Sequence, residues 1–285
     1  MSEPGTHTTC YRHPRVETAV TCSDCGRPIC TECMTFGAVG IRCPECAGVA
    51  VGARKAVQQV RTAPTRLPPG AVTLTLIGIN VLVFIAELAT GGQVSRIGGD
   101  VVVNYALYGP AVADGEWWRL ITSAFLHANL IHLFFNMIFL WWFGRPLENL
   151  IGPGRFLSIY LVSALAGAAG ALLFSPQGIT VGASGAVFGI LGAGFVLERG
   201  QIMVFGGQAM FVIGINLVLS FALSGISIGG HIGGLIGGAL SMLALNHFGR
   251  YRPLTSREGL AGLGALALIG IVSVGIAYWK VRGYA

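Results

Sequence analysis

"GGHIGGLIGG", residues 229–238, lies in a run from 228 to 248 that carries no Asp, Glu, Lys or Arg. Six glycines in ten residues would be out of place in a soluble helix. They suit a transmembrane helix whose backbone must approach a neighbour closely. The run is also near the roughly 20 residues that a helix rising about 1.5 Å per residue needs to cross a bilayer core. His231 interrupts it near its start, and His247 lies at its end. An ionisable side chain inside a membrane span marks a functional position. His231 shares a helical face with Gly234 and Gly238, so it points where this helix can come nearest another.

Six further apolar runs repeat the pattern, and charge punctuates them. The spans fall near 71–90, 128–147, 156–174, 184–200, 202–222, 228–248 and 259–279 of a 285-residue chain that is 53% hydrophobic, 11% charged and holds 43 glycines. This predicts an all-α polytopic membrane protein. The formal net charge of +6 does not point to nucleic acid, because the basic residues cluster at the ends of apolar segments. By the positive-inside rule, Arg54, Lys55, Arg61 and Arg66 put the N-terminus in the cytoplasm. Arg145 and Arg155, then Arg199, then Arg250, Arg252 and Arg257 fall on the same side, while the uncharged loops 175–183 and 223–227 fall outside. Lys280 and Arg282 run against the rule, since a seventh crossing leaves them outside. The first fifty residues lack the apolar core of a cleavable signal peptide. The expected location is the cell membrane.

Those first fifty residues form a separate unit. All seven cysteines precede residue 47 and fall, with His13, into four C-x2-C/H pairs: Cys10–His13, Cys22–Cys25, Cys30–Cys33 and Cys43–Cys46. Eight thiolate and imidazole ligands are what two tetrahedral Zn²⁺ sites require. A disulfide framework or redox-active pairs fit a reducing compartment poorly. His7 is left out of the ligand set. The organisation expected is a zinc-binding domain at 1–50, a basic, proline-containing linker at 51–70, a membrane core at 71–248 and an additional C-terminal helix within 249–285.

Two more segments carry polar groups into the apolar core. In "VGASGAVFG", residues 181–189, Ser184 follows an uncharged loop and begins the fourth span, where backbone N–H groups lack intrahelical partners and can hold a developing negative charge. Gly185 and Gly189 follow it in a GxxxG step that can pack against Gly234 and Gly238, bringing Ser184 and His231 together as nucleophile and base. In "EWWRLITSAFLHANLIHLFFN", residues 116–136, His132 and Asn136 lie one helical turn apart on one face of the second span, both able to donate hydrogen bonds. Each of these features alone reads as helix packing or interhelical hydrogen bonding.

The motifs "EWWR" at 116–119, "HLFFN" at 132–136, "GASG" at 182–185 and "HIGGLIGG" at 231–238 occur in an order that resembles the rhomboid intramembrane serine proteases over about 71–248. That resemblance implies a six-helix core, here followed by a seventh transmembrane helix. It implies Ser184 as nucleophile, His231 as general base, and His132 with Asn136 as oxyanion-stabilising groups. Phe188 matches an aromatic position that packs on the catalytic imidazole, and Trp118 and Arg119 match a structural signature of the first outer loop. His127 matches a loop histidine to which no chemistry is assigned. With no Asp or Glu in spans four to six except Glu198 at a helix end, a Ser–His dyad is expected, oriented by packing. The substrates implied are transmembrane proteins cut within or beside their membrane helix in the lipid bilayer. A non-catalytic, rhomboid-like factor that binds and escorts membrane clients, or a small-molecule transporter, would be the rival readings. The cysteine pairs at 10–46 resemble a B-box-type zinc finger. This implies one ion on Cys10, His13, Cys30 and Cys33 and another on Cys22, Cys25, Cys43 and Cys46, with sequential pairing left open, and a cytoplasmic partner for the domain.

Overall fold

A computed structural model describes residues 8–36, 40–47, 68–222, 225–249 and 253–284. The linker from 51 to 67 with its four basic residues, His7, Arg250, Arg252 and the first part of the 223–227 loop lie outside the described residues. The chain divides into two units, 1–63 and 64–285.

The first unit is built on two short antiparallel ribbons. Strands β1 (Thr8–Cys10) and β2 (His13–Thr18) pair with each other, as do β3 (Thr35–Phe36) and β4 (Ile41–Arg42). Its interior is small, with Ile29 enclosed by Cys10, Cys22, Cys30, Cys33 and Cys43. So few apolar side chains cannot stabilise a fold of this size unaided, and the sulfur atoms occupy the place of a core.

In the second unit all seven apolar runs are helical. Helix α1 spans Ala71–Ala89; three short helices, α2 (Asp100–Tyr105), α3 (Gly109–Ala113) and α4 (Arg119–Thr122), occupy the first long loop. Helix α5 (Leu130–Phe139) continues through a π turn at Leu140–Gly144 into α6 (Arg145–Ile151). Then come α7 (Pro153–Phe174), α8 (Ser184–Arg199), α9 (Ala209–Ala222), α10 (Ile228–His247) and α11 (Arg257–Val281). The fold is all-α and polytopic. Five of these segments, α1, α5–α6, α7, α10 and α11, are long and apolar enough to cross a membrane.

Helix α8 fills its expected span to within one residue, whereas α9 is shorter than the span expected for it, for an identifiable reason. The fifth helix starts at Ala209 rather than 202, because Gln201, Gly206 and Gly207 take positive φ and the Glu198 carboxylate accepts the backbone N–H groups of Phe205 (2.9 Å), Gly207 (3.0 Å) and Ala209 (3.1 Å). A buried carboxylate thus satisfies donors that a continuous helix would have bonded internally. Helix α8 has 16 residues, about 24 Å of rise. The connector before it is irregular. Its backbone is stitched to the first loop, Leu107 and Thr180 exchanging two hydrogen bonds (3.0 Å each), Gly109 N–H meeting Pro176 O (2.8 Å) and Gly182 N–H meeting Ser123 O (2.9 Å). Irregular backbone is tolerated at membrane depth when protein satisfies it in this way.

Helix α8 is the centre of the unit, with Val187, Ile190, Leu191, Ala193 and Leu197 buried. Glycine sets its distance from α10. A Cβ built at Gly234 would strike the Gly185 carbonyl, and one at Gly238 the Gly189 carbonyl. Helix α10 meets α7 by the same device, with Gly233 against Ala166 and Gly229 against Gly170. The C-terminal helix α11 packs against both α7 and α10, and its Ala277 and Val281 join Leu107, Val112, Ala168 and Leu172 in a second apolar cluster. At the start of α1, the Glu148 carboxylate accepts from Val72 N–H (2.9 Å), Thr73 N–H (2.8 Å) and the Thr73 hydroxyl (2.7 Å). This side chain from α6 caps a helix through Val72, 76 residues earlier in sequence.

Candidate active site and metal clusters

Ser184 is the first residue of α8, preceded by Ala183 as cap and by Gly182 at φ +126°. The glycine is required there. A Cβ at position 182 would lie 2.9 Å from His132 Nε2 and 3.7 Å from Ser184 Oγ, so the serine hydroxyl and the His132 ring flank the same turn of backbone. Ahead of Val187, whose N–H bonds the Ala183 carbonyl (3.0 Å), the N–H groups that open α8 have no intrahelical acceptor. A small cavity opens beside them, lined by Ser123, Gly167, Thr180, Gly182, Ser184 and Ser227.

The His132 backbone N–H is capped by the Asn129 side chain (2.9 Å), and its Nδ1 accepts from Ala128 N–H (3.4 Å). That contact leaves Nε2 as the protonated nitrogen, directed toward Gly182. Asn136 is buried one turn further along α5, with one amide N–H given to its own helix at the His132 carbonyl (2.9 Å). Its remaining N–H and its oxygen are uncommitted among the described contacts. The first loop also holds its signature in place. Buried Arg119 bonds Glu116 (2.5 Å) and the carbonyls of Val103 (2.9 Å) and Ala106 (2.8 Å), which fixes α2 against α4. His127 packs edge-on to His132 at 5.3 Å between centroids, and its backbone N–H is bound by the buried Glu87 (3.0 Å).

His231 lies in the first turn of α10 with its ring stacked on Phe188, centroids 4.1 Å apart and planes 15° off parallel. Phe188 is one helical turn beyond Ser184, and Gly185 meets the backbone at Gly230 and Gly234 on either side of the histidine. The packing expected between the two glycine steps is therefore present, and it sets the imidazole above the turn that bears the serine. Among the described residues the two side chains make no direct hydrogen bond. Such bonds commonly close only when substrate is bound. The sequence reading missed Ser220. This residue of α9 is 2% exposed and its Oγ lies 2.7 Å from His231 Nδ1, so the imidazole is oriented by a hydrogen bond as well as by packing. The signal available was a polar pair, Asn216 and Ser220, four residues apart in an otherwise apolar helix.

In the first unit the eight metal-ligand candidates form two groups, Cys10, His13, Cys30, Cys33 and Cys22, Cys25, Cys43, Cys46, each with its ligand atoms within 4.8 Å of one another. This is the crossed grouping rather than the sequential one. All seven cysteines are free thiols. For Zn–S bonds of about 2.3 Å, tetrahedral geometry separates ligand atoms by about 3.8 Å. Cys25 and Cys43 sulfurs are 3.7 Å apart, and His13 Nδ1 lies 3.2, 3.5 and 3.9 Å from the sulfurs of Cys30, Cys33 and Cys10. The residues fit such an ion. The Arg27 guanidinium, 3.3 Å from Cys25 Sγ, holds that thiol below its ordinary range, which favours the thiolate a metal needs.

A Rhomboid domain model matches residues 114–248. The chain is 36% identical over 234 residues to the rhomboid protease GluP of Bacillus subtilis, covering 80% of this chain and 44% of that protein. It is 38% identical over 146 residues to the putative rhomboid protease YdcA of the same organism, covering 50% of this chain and 72% of that protein. Rhomboid-like protease 3 of Toxoplasma gondii is 40% identical over 87 residues, 30% of this chain and 33% of that protein. The chain thus spans less than half the length of two of these three relatives. The first-loop arginine network, the serine on a glycine-stepped helix and the stacked histidine lie within or beside the matched region, and with this coverage the chain belongs to the rhomboid family.

Proposed function

We propose that the protein is an intramembrane serine endopeptidase that cleaves membrane proteins in or beside a transmembrane helix. Ser184 Oγ attacks the scissile carbonyl while His231 removes its proton. The oxyanion is held by the Ser184 backbone N–H, His132 and Asn136. His231 then protonates the leaving amine, and water hydrolyses the acyl-enzyme by the same groups in reverse. The observation that carries this reading is the His231–Phe188 stack across the Gly185–Gly234 contact, which aligns a base with a serine at an uncapped helix N-terminus. A helical substrate must unwind at the scissile bond, because helical carbonyls are engaged in hydrogen bonds.

The two clusters of the first unit hold structural zinc in this reading, with thiolates and one imidazole as ligands, and the unit faces the cytoplasm, where a soluble partner could meet it. The protein then sits in the cell membrane with its N-terminus inside. A fluorophosphonate probe tests the catalytic assignment. Wild type should be labelled and should cut a transmembrane substrate. Ser184→Ala and His231→Ala should each abolish both, and combining them should add almost nothing. Turnover retained by either single variant would refute the dyad, and a folded wild type that is never labelled would favour the client-escort reading.

A further inference from the structure

A general base that acts through Nε2 must keep its proton on Nδ1, and a buried Nδ1–H needs an acceptor. Ser220 Oγ lies 2.7 Å from His231 Nδ1 and also 2.7 Å from the Asn216 carbonyl oxygen. The hydroxyl has a single hydrogen. Two oxygens at 2.7 Å require a hydrogen between them, and the carbonyl has none to offer, so the Ser220 hydrogen points to Asn216. Only the lone pairs of Oγ remain for His231, and Nδ1 must be the donor in that contact. The proton relay is therefore fixed in direction: His231 Nδ1–H to Ser220 Oγ, and Ser220 O–H to the Asn216 carbonyl.

From this we infer that Ser220 is a positioning residue that holds His231 in the tautomer whose Nε2 lone pair is free to receive the Ser184 proton. Phe188 fixes the plane of the ring, but stacking cannot distinguish one ring nitrogen from the other. A hydrogen bond can. Ser220 occupies the place of a third catalytic member without carrying charge, and it does so from α9, a helix different from those bearing Ser184 and His231. Its hydroxyl is committed to Nδ1 and Asn216, so its effect falls on the rate of the chemical step and not on substrate binding.

The inference rests on His231 being the general base, and the test separates the two. Full-length protein in detergent micelles is assayed on a transmembrane substrate. Ser220→Ala should lower kcat about 10- to 100-fold with KM within about twofold, and Ser220→Thr, which keeps the hydroxyl, should restore kcat to within about threefold of wild type. A wild-type kcat in Ser220→Ala, with Ser184→Ala and His231→Ala inactive, would overturn the positioning role and leave the protease reading intact. Activity in Ser184→Ala or His231→Ala would instead sink the protease reading. Folding of the variants is not essential to the outcome. In wild-type protein with ¹⁵N-labelled histidine, the His231 signal, identified by its loss in His231→Ala, should show a protonated Nδ1 and an unprotonated Nε2. The opposite tautomer would overturn the assignment.

Discussion

Replacing Gly234 by alanine tests the claim that backbone contact, not side-chain chemistry, sets the distance between Ser184 and His231, the proposed nucleophile and base. A Cβ at 234 would lie 2.9 Å from the Gly185 Cα and closer still to its carbonyl, whereas real Cβ contacts are rarely tighter than 3.4 Å. The obstruction is backbone on a buried helix, so no flexible side chain can give way. Helices α8 and α10 must part by something on the order of 1 Å, and overpacking of this kind costs about 1–3 kcal/mol. A misplacement of that size between reacting groups lowers turnover roughly 100-fold. Gly234→Ala should therefore cut kcat by about that factor while the chain still inserts and folds at a reduced Tm. Gly264→Ala on α11, where an added Cβ meets nothing within 4 Å, should leave kcat unchanged. Both are measured with a fluorogenic transmembrane substrate in micelles, alongside thermal unfolding. A Gly234→Ala protein with wild-type kcat and Tm would refute the reasoning.

Three further outcomes follow from other parts of the chain. Replacing Cys10 and Cys30 together should leave one tightly bound Zn²⁺ per chain by metal analysis, since both belong to one crossed cluster; disturbance of both ions would point to sequential sites. Glu148→Gln should lower stability by about 2 kcal/mol in a denaturation series, because it weakens a carboxylate that caps α1 through three hydrogen bonds, and an unchanged midpoint would show that the cap carries no weight. The proposed topology of seven crossings with the N-terminus inside would place the two chain ends on opposite sides, so tags at the N-terminus and after Ala285 should react with an impermeant reagent from the cytoplasmic and outer faces respectively, and reactivity from one face alone would refute the crossing number.

What the sequence made legible is what apolar pattern and ligand spacing control. Each apolar run holds a helix, the Gly185–Gly189 step does meet Gly234 and Gly238, and the eight ligand candidates do gather in two groups, in the crossed arrangement that the B-box resemblance implied and spacing alone left open. The pattern failed where a single polar side chain redirects local backbone. Glu198 converts 202–208 from helix into a capped loop by accepting three N–H groups, and hydropathy does not register such a bond. The first-loop helices escaped notice because Arg119 and backbone bridges, rather than amphipathic periodicity, hold them. Ser220 was overlooked for a related reason. A serine in an apolar helix ordinarily bonds its own backbone, and only the approach of α10 gives it a second partner.

Because the two cysteine clusters interleave along the chain, closing one changes the cost of closing the other. The segment from His13 to Cys30 contains Cys22 and Cys25, and the segment from Cys25 to Cys43 contains Cys30 and Cys33. Closing the first cluster pins residues that lie between the ligands of the second, so the loop still to be closed is shorter and its entropic cost lower. If both clusters take the proposed zinc, an ion at one favours an ion at the other by this modest loop term, while each keeps its own complete ligand set. A unit too small to have a core of its own would in this way draw from its first proposed ion some of the order that its second requires.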